Sequence, residues 1–289
     1  MNLLADALAQ GIMIGAVYAL ITLGLAVIHA VSGVLNFAHG HLVVLSMYLT
    51  LILGRNLGVD PYLAGLIVVP LMFVIGMGLY LLIFRRLTGS PILTVAQATL
   101  GLLFFLEGAL LLSQGGQFQR IHAAVDGKSF ELGTVVIEAK EAVAFGVALI
   151  ATALLFVALS RTYHGRSVRA VVQNPHGAQL VGININRVRV VGFGLGVALA
   201  ALAGVLLVPG TGIHPSNGLG YAIVAIIAFY VGGIGNLFGA LLGGMLLGLS
   251  ESVGAIYVSG SYGFILPYAL VVLVLLVRPK GLLAKRSDA

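Results

Sequence analysis

The sequence predicts an all-α, polytopic membrane protein, and three observations support this fold class. Hydrophobic residues form 60% of the 289 positions and charged residues 8%, against about 45–50% and 25% in soluble domains. Glycine occurs 40 times, which suits helices that approach closely in lipid. Apolar stretches of about 20 residues, the length that crosses a hydrocarbon core, recur along the chain. With only 15 basic and 9 acidic residues, the chain cannot build the charged surface of a soluble globular domain.

The apolar stretches define the predicted elements in chain order. They lie at 7–31, 36–54, 61–84, 91–113, 142–160, 188–208, 219–256 and 261–277. The 219–256 stretch is too long for one span, and a glycine-rich run from Gly232 to Asn236 interrupts it. We therefore expect a short helix, a glycine turn and a full span there, which gives about 8–9 hydrophobic segments including this broken helix. The whole chain, 1–289, is then one transmembrane domain without a soluble catalytic domain.

Lysine and arginine are distributed unevenly between the predicted loops. Eleven of the 15 lie around 85–90, within 161–189 or after 277. Because cytoplasmic loops are enriched in basic residues, we expect these regions in the cytoplasm of a bacterial cell, with the N-terminus outside and the C-terminus inside its inner membrane. The longest polar stretch, near 114–141, is then periplasmic, and weak apolar alternation over 129–137 predicts a small hairpin there.

A short internal likeness links VSGVLNF at 31–37 with VGGIGNL at 231–237. Transporters often contain structural repeats, and similar turn chemistry would produce the same likeness. Both interpretations stay open from the sequence.

The loop near 161–189 is basic and contains recognisable helix boundaries. Ser167 is the expected N-cap of a first helix, and Asn174, followed by proline, is the expected N-cap of a second. Gly182 is expected to end the second helix, and Asn184 or Asn186 to cap the next span. A solvated loop that obeys the positive-inside rule does not need these boundaries, so they favour a docking surface over that alternative.

Several stretches of the chain resemble one family. RAVVQNPHGAQLVGININRVRVVGFGLGVALAALAGVLL is similar to the cytoplasmic loop and following span of bacterial ABC-importer permeases for branched-chain amino acids, the LivH-like family. The same likeness is carried by GAVYALITLGLAVIHAVSGVLNFAHGHLVVLSMY, by VGGIGNLFGALLGGMLLGLSES and by the terminal RPKGLL. It runs from residue 11 to 283 and is weakest over 114–141.

The resemblance implies a function and a set of partners. The chain would be a permease subunit that moves branched-chain amino acids or similar small polar solutes. Its partners would be a second permease chain (a paralogue or another copy), two cytoplasmic ATPase subunits and a periplasmic substrate-binding protein. The loop near 161–189 would be the coupling segment that sits in a cleft of the ATPase. The positions that match the family pattern there are Arg169, Ala170, Gln173, Asn174, Ala178, Gly182 and Ile183.

The energy source can be considered from the residues themselves. The chain has no GxxxxGK[ST] phosphate loop, so we expect no nucleotide or other cofactor in this chain, and ATP would bind to the partner subunits. The predicted spans hold two carboxylates, Glu107 and Glu251, and no lysine or arginine. Ion-coupled transporters usually hold several ionisable groups within the membrane, so this number gives weak support to ion coupling. An ion-coupled transporter and a passive channel remain alternatives. An enzyme is not expected, because no clustered nucleophile and base or metal-ligand set is found.

Four residues are candidates for the translocation path. Asn36 and His39 follow a predicted helix break, and irregular backbone at membrane depth faces protein or water. Glu107 interrupts an apolar span, so it should face the interior, either lining the path or bonding to Gln97 or another span. Tyr18 resembles a signature position of the family, although a tyrosine there would also suit packing.

Alternatives remain for neighbouring positions. A turn at the membrane interface, with Asn36 as a plain N-cap, would explain 34–40 equally well. His29 and His41 are expected at that interface, and Glu251 as a structural partner or mouth residue. Close helix contacts are expected at four glycine pairs with small-xxx-small spacing. These pairs are Gly11/Gly15, Gly192/Gly196, Gly239/Gly243 and Gly244/Gly248.

Overall fold

The computed structural model describes residues 3–132, 135–257, 265–279 and 281–283. The helices are α1 Leu3–Ser32, α2 His39–Leu57, α3 Pro61–Leu79, α4 Arg85–Leu87, α5 Ile92–Gln114, α6 Ala139–Arg161, α7 Tyr163–Gln173, α8 Pro175–Leu180, α9 Ile185–Leu207, α10 Asn217–Gly232, α11 Leu237–Tyr257 and α12 Ile265–Val277. A π-helical turn, Tyr80–Phe84, joins α3 to α4. The strands β1 Ser129–Leu132 and β2 Val135–Glu138 form the predicted hairpin.

The described residues confirm an all-α, multi-pass membrane protein. Seven helical stretches, one of them running from α3 through α4, are long and apolar enough to cross a membrane, and α10 and α12 are shorter apolar helices. The predicted interruption of 219–256 lies between α10 and α11, where Gly233 and Gly235 have positive φ values of 105° and 80°. Glycine adopts this region without the steric cost that other residues meet.

The two ends of the bundle differ in the elements that they carry. The hairpin β1–β2 precedes the first residue of α6, and α7 follows its last residue. The 23 residues of α6 separate these features by about 35 Å at 1.5 Å per residue. We call them the hairpin end and the basic end. Residues 85–88 lie beside 179–189. Residues 282–283 pair with 231–232, and the adjoining residues 234–238 lie beside 168–173. The described parts of the three basic regions therefore share the basic end. Lys280 and residues 284–289 lie outside the described residues.

The centre of the bundle is formed by α1 and α9. Every residue of α1 from 15 to 28 is buried, because α9, α10 and α11 surround it. A helix that is apolar on all sides belongs in such a position. By contrast α3, α5 and α6 keep large apolar side chains exposed, such as Leu66, Phe105 and Ile150, as helices facing lipid or another membrane protein do.

The predicted glycine contacts form within the chain. A Cβ on Gly244 would lie 2.5 Å from the Cα of Ala19, and a Cβ on Gly248 would overlap the backbone of Gly15. These glycines therefore bring α1 and α11 together at backbone distance. The other pairs behave similarly, with Gly196 against Gly24 and Gly243 against Ala228.

Two glycines of α3 are expected to respond oppositely to alanine. At Gly76 a Cβ would lie 2.8 Å from the Cβ of Val197 and 3.0 Å from the Cα of Gly194. Gly76→Ala should therefore lower the free energy of unfolding by about 1–3 kcal/mol, as substitutions that overpack a core do. At Gly78 no described atom beyond its own helical neighbours lies within 4 Å of such a Cβ, so Gly78→Ala should be neutral or slightly stabilising. Thermal midpoints of the purified protein in detergent test this, and equal midpoints would contradict it.

Candidate functional sites at the basic end and inside the bundle

The first helix of the basic end begins earlier than expected. The hydroxyl of Thr162 accepts a hydrogen bond from the N–H of Gly165 at 3.0 Å and caps α7, which starts at Tyr163. Ser167 lies inside the helix and donates to the carbonyl of Tyr163 at 3.0 Å. The prediction of Ser167 as the N-cap is therefore wrong. Thr162 offers the same capping chemistry directly after α6, so the helix starts there.

The other predicted N-caps are present. The side-chain oxygen of Asn174 accepts from the N–H of Gly177 at 2.9 Å and starts α8. The side-chain oxygen of Asn184 accepts from the N–H of Arg187 at 3.0 Å and starts α9. Both bonds satisfy backbone donors that a helix start leaves without intrahelical partners.

The end of α8 is a Schellman motif. Gly182 has φ +82°, its N–H donates to the carbonyl of Gln179, and the N–H of Ile183 donates to the carbonyl of Ala178, both at 3.0 Å. This pair of bonds is the defining feature of the motif, and the positive φ is why glycine suits the position. Gly182, Ile183 and Ala178 thus have a structural role in α8 in addition to any role toward a partner.

Arg169 joins α7 to the preceding span. Its guanidinium donates to the carbonyl of Leu159 at 2.7 Å and to that of Ser160 at 3.4 Å. Both carbonyls belong to the last turn of α6, where cations complement the helix dipole. Gly165 lies so close to this turn that a Cβ would overlap the carbonyl oxygens of Ala158 and Leu159. α7 is therefore packed directly against the last turn of α6.

The surface of α7 and α8 is both cationic and apolar. Tyr163, Leu180 and Val181 are 65%, 89% and 75% exposed, which is more apolar exposure than a solvated loop requires. The coupling candidates divide by exposure. Arg169, Gln173, Asn174 and Gly182 are exposed, Ala170 and Ile183 are half-buried, and Ala178 is buried. We call the exposed face of 163–182 the coupling surface.

The break after α1 places the start of α2 inside the bundle. Gly33 has φ +70°, and the chain then returns along α1 until Nε2 of His39 lies 2.9 Å from the carbonyl oxygen of Ile21. Ile21 precedes the last residue of α1, Ser32, by three turns, which is about 16 Å along the axis. His39 and Asn36 are both completely buried. The alternative of an interfacial turn does not fit this geometry.

Asn36 organises the break without being the N-cap of α2. Its Oδ1 accepts from the N–H of Ala38 at 3.0 Å, whereas α2 is preceded by Ala38 as the capping residue. Asn236 accepts from the N–H of Phe238 at the same distance of 3.0 Å. The similar sequences at 31–37 and 231–237 therefore share this contact, each at a break between two helices. The turns differ otherwise, because Gly235 has φ +80° whereas Leu35, like every described non-glycine residue, has no positive φ.

His41 corrects a second expectation. It was predicted at the membrane interface, but its side chain has 0% exposure, and its Nε2 lies 3.4 Å from Oε2 of Glu107. The partner of Glu107 is thus on another span, α2, which was one of the two expected alternatives, and the described structure shows no contact with Gln97, which was the other. The ring of His41 also packs on Gly218 at the start of α10, where a Cβ would lie 2.5 Å from its Cγ.

Tyr18 belongs to a different cluster. It is buried in α1 at 7% exposure, and its hydroxyl lies near the carboxylate of Glu251 on α11. Because the two helices are antiparallel neighbours and side chains lean toward the N-terminus of their own helix, the two groups converge. The path candidates therefore form two groups: Asn36, His39 and Glu107 around the start of α2, and Tyr18 between α1 and α11. Within the described ranges no group of three His, Cys, Asp or Glu side chains could hold a metal ion.

Comparisons with known proteins agree with this architecture. A family model described as branched-chain amino acid transport system / permease component matches residues 7–275. The high-affinity branched-chain amino acid transport system permease protein BraD of Pseudomonas aeruginosa is 32% identical, covering 96% of this chain and 95% of that protein. LivH of Escherichia coli K12, with the corresponding description, is 30% identical over 96% of this chain and 94% of its own length.

One solved structure is similar in fold. PsaBC from Streptococcus pneumoniae in complex with Fab has a TM-score of 0.54 and covers 97% of this chain and 93% of that chain. Its sequence identity of 14% means that this likeness concerns the fold alone.

Proposed function

We infer the function from one premise: the chain belongs to the family of permease components of branched-chain amino acid transport systems. It is a multi-pass membrane protein and the permease subunit of an importer. Its curated relatives are named as transport permeases and not as enzymes. We propose that this chain likewise makes and breaks no covalent bonds, and that it moves branched-chain amino acids or similar small polar solutes across a bacterial inner membrane.

The proposed orientation follows from charge. The described basic residues of three separate regions lie at the basic end, and cytoplasmic loops are enriched in Lys and Arg. The basic end and the C-terminus are therefore cytoplasmic in this proposal, and the hairpin end and the N-terminus are periplasmic. The chain forms one transmembrane domain over 1–289.

The proposed partners follow from the coupling surface and the family. Two ATPase subunits dock on the coupling surfaces of this chain and of a second permease, which is a paralogue or another copy. Exposed Leu180 and Val181 beside cationic Arg166 and Arg169 suit a cleft in such a partner. ATP binds to these subunits, and no cofactor binds to this chain. A periplasmic binding protein delivers the solute at the hairpin end.

The observation that best supports ATP-driven transport is the join between α7 and α6 through Arg169. Force applied to the coupling surface reaches a span without an intervening flexible linker. The path itself is proposed to pass the buried polar groups of Asn36, His39 and Glu107 and to involve Tyr18. Each is a polar side chain within an apolar bundle, where such groups are costly unless they serve a purpose.

Reconstitution tests this function. The chain is co-expressed with its neighbouring subunits, purified and placed in proteoliposomes that contain ATP. We expect a leucine-loaded binding protein to stimulate ATP hydrolysis and leucine uptake severalfold, with no uptake when ATP is omitted. The matched control is the chain alone in the same liposomes. Uptake by the chain alone under an ion gradient would identify a secondary transporter, and uptake without ATP or gradient a channel, and either result would reject the proposal.

A further inference from the structure

We propose that Glu107 and the first turn of α10, with His41 between them, form a site for the zwitterionic head of the transported amino acid. The free N–H groups of α10 would bind the α-carboxylate, and the carboxylate of Glu107 would bind the α-ammonium. This inference rests on the proposed function and deepens it by naming the recognition chemistry.

The first turn of α10 is a donor site without an internal acceptor. Ser216 precedes the helix and makes no capping bond with its side chain, and Asn217 uses its amide to donate to Gly212 instead. Within the described part of the chain, the N–H groups of Gly218 and Leu219 have no acceptor. The N-terminus of a helix of 16 residues also carries partial positive charge, which favours an anion. Leu219 is 51% exposed, so the turn is open on one side.

His41 provides the second, independent observation. It is completely buried, its ring packs on Gly218, and neither ring nitrogen has a hydrogen bond within the described residues. Nε2 lies 3.4 Å from Glu107, beyond a good hydrogen bond. A buried polar side chain without a protein partner keeps its hydrogen-bonding capacity available for a further group. This one lies between the donor turn and the carboxylate.

Glu107 supplies the opposite charge. Its side chain is 27% exposed, so the carboxylate is not sealed inside the bundle. The membrane-spanning stretches contain no Lys or Arg near mid-span to neutralise it. An ammonium group is the cation that the substrate itself would provide. A donor turn and a carboxylate on either side of His41 complement a molecule whose carboxylate and ammonium groups are attached to the same carbon.

The position inside the bundle also suits a transport site. Because α2 starts three turns inside the end of α1, the start of α2, which follows the broken backbone of 33–38, meets the start of α10 at depth. Transporters commonly bind anionic substrate groups at the N-termini of such interrupted helices. The structural rival is that Glu107 itself is the anion that stabilises His41 and the start of α10.

The test compares functional groups on the ligand with groups on the protein. Competition against radiolabelled leucine is measured on the assembled importer in nanodiscs, using leucine, 4-methylpentanoate (no ammonium) and leucinamide (no carboxylate). The wild type should prefer leucine to both analogues at least tenfold. Glu107→Gln should reduce leucine affinity at least tenfold, to that of 4-methylpentanoate, and leave 4-methylpentanoate unchanged. Gly218→Ala displaces the ring of His41 at the donor turn. It should weaken the binding of leucine and 4-methylpentanoate but not the binding of leucinamide.

The structural rival predicts a different pattern. If Glu107 only stabilises the fold, Glu107→Gln weakens the binding of all three ligands equally, and the inference is overturned. It is also overturned if the wild type binds leucine and its two analogues equally well. Glu141→Gln, which removes a carboxylate from the hairpin end of α6, is the matched control and should change nothing. Transport assays of the same purified proteins, reconstituted in proteoliposomes, distinguish failure of this site from failure of the proposed function. Normal ATP-driven uptake with no discrimination rejects this site alone, whereas a wild type without stimulated ATP hydrolysis rejects the proposed function.

Discussion

Arg169→Ala is expected to lower leucine uptake per ATP hydrolysed at least tenfold. The guanidinium makes one short charge-assisted hydrogen bond, to the carbonyl of Leu159, and a longer contact with that of Ser160. The short bond contributes about 1.5–3 kcal/mol. Its loss weakens the attachment of α7 to the span, although Gly165 still packs on the last turn of α6. The capped helices α7 and α8 stay intact, because their capping bonds do not involve Arg169. The ATPase should therefore still dock, and hydrolysis should continue without driving transport.

The matched control for this prediction is Arg166→Ala. Arg166 has the same charge, lies on the same helix and is exposed, but its side chain makes no hydrogen bond to α6 among the described residues. Co-purification of the ATPase, stimulated hydrolysis and uptake are measured for both variants. We expect Arg169→Lys to retain charge and part of the coupling, since lysine cannot supply two parallel donors. Equal losses in Arg166→Ala and Arg169→Ala would show that charge at the surface matters and the join to α6 does not.

Much of the architecture could be predicted because it depends on local pattern. The spans follow from apolar length, and the break at 232–236 follows from its glycines. Asn174 and Gly182 were predicted correctly because a cap is a contact within a few residues. Ser167 failed for the same local reason, because Thr162 offers an equivalent cap five residues earlier. Nothing in the sequence distinguishes the two until the end of α6 is known.

The arrangement inside the bundle could not be predicted because it joins distant parts of the chain. His41, Glu107 and Gly218 come from α2, α5 and α10, and no spacing rule links them. The backbone return after Gly33 carries His41 away from the interface, where its neighbours in sequence had suggested it would lie. The contact of Arg169 with α6 could not be predicted either, because its acceptors are backbone carbonyl groups, which every residue has.

Gly40→Ala is expected to have the second large effect, on stability and transport together. A Cβ at Gly40 would overlap the carbonyl oxygen of Gly218 and the N–H of Ala222. Both are backbone atoms of α10, so no side chain can rotate to relieve the clash. Overpacking of this kind costs about 1–3 kcal/mol or more, and relief requires α10 to move away from α2. We expect a lower thermal midpoint and at least a tenfold loss of leucine uptake.

The control is Gly101→Ala in α5, where the described structure leaves open space within 4 Å of the added methyl group. Both substitutions add one methyl group to a membrane helix, so helix propensity changes by the same amount and only the contact differs. Displacing α10 also separates its donor turn from Glu107, because His41 and Gly40 lie on one turn of α2. Uptake should therefore remain low when Gly40→Ala is assayed well below its thermal midpoint. Recovery of normal uptake at that temperature would mean that the contact between α2 and α10 serves stability and has no part in transport.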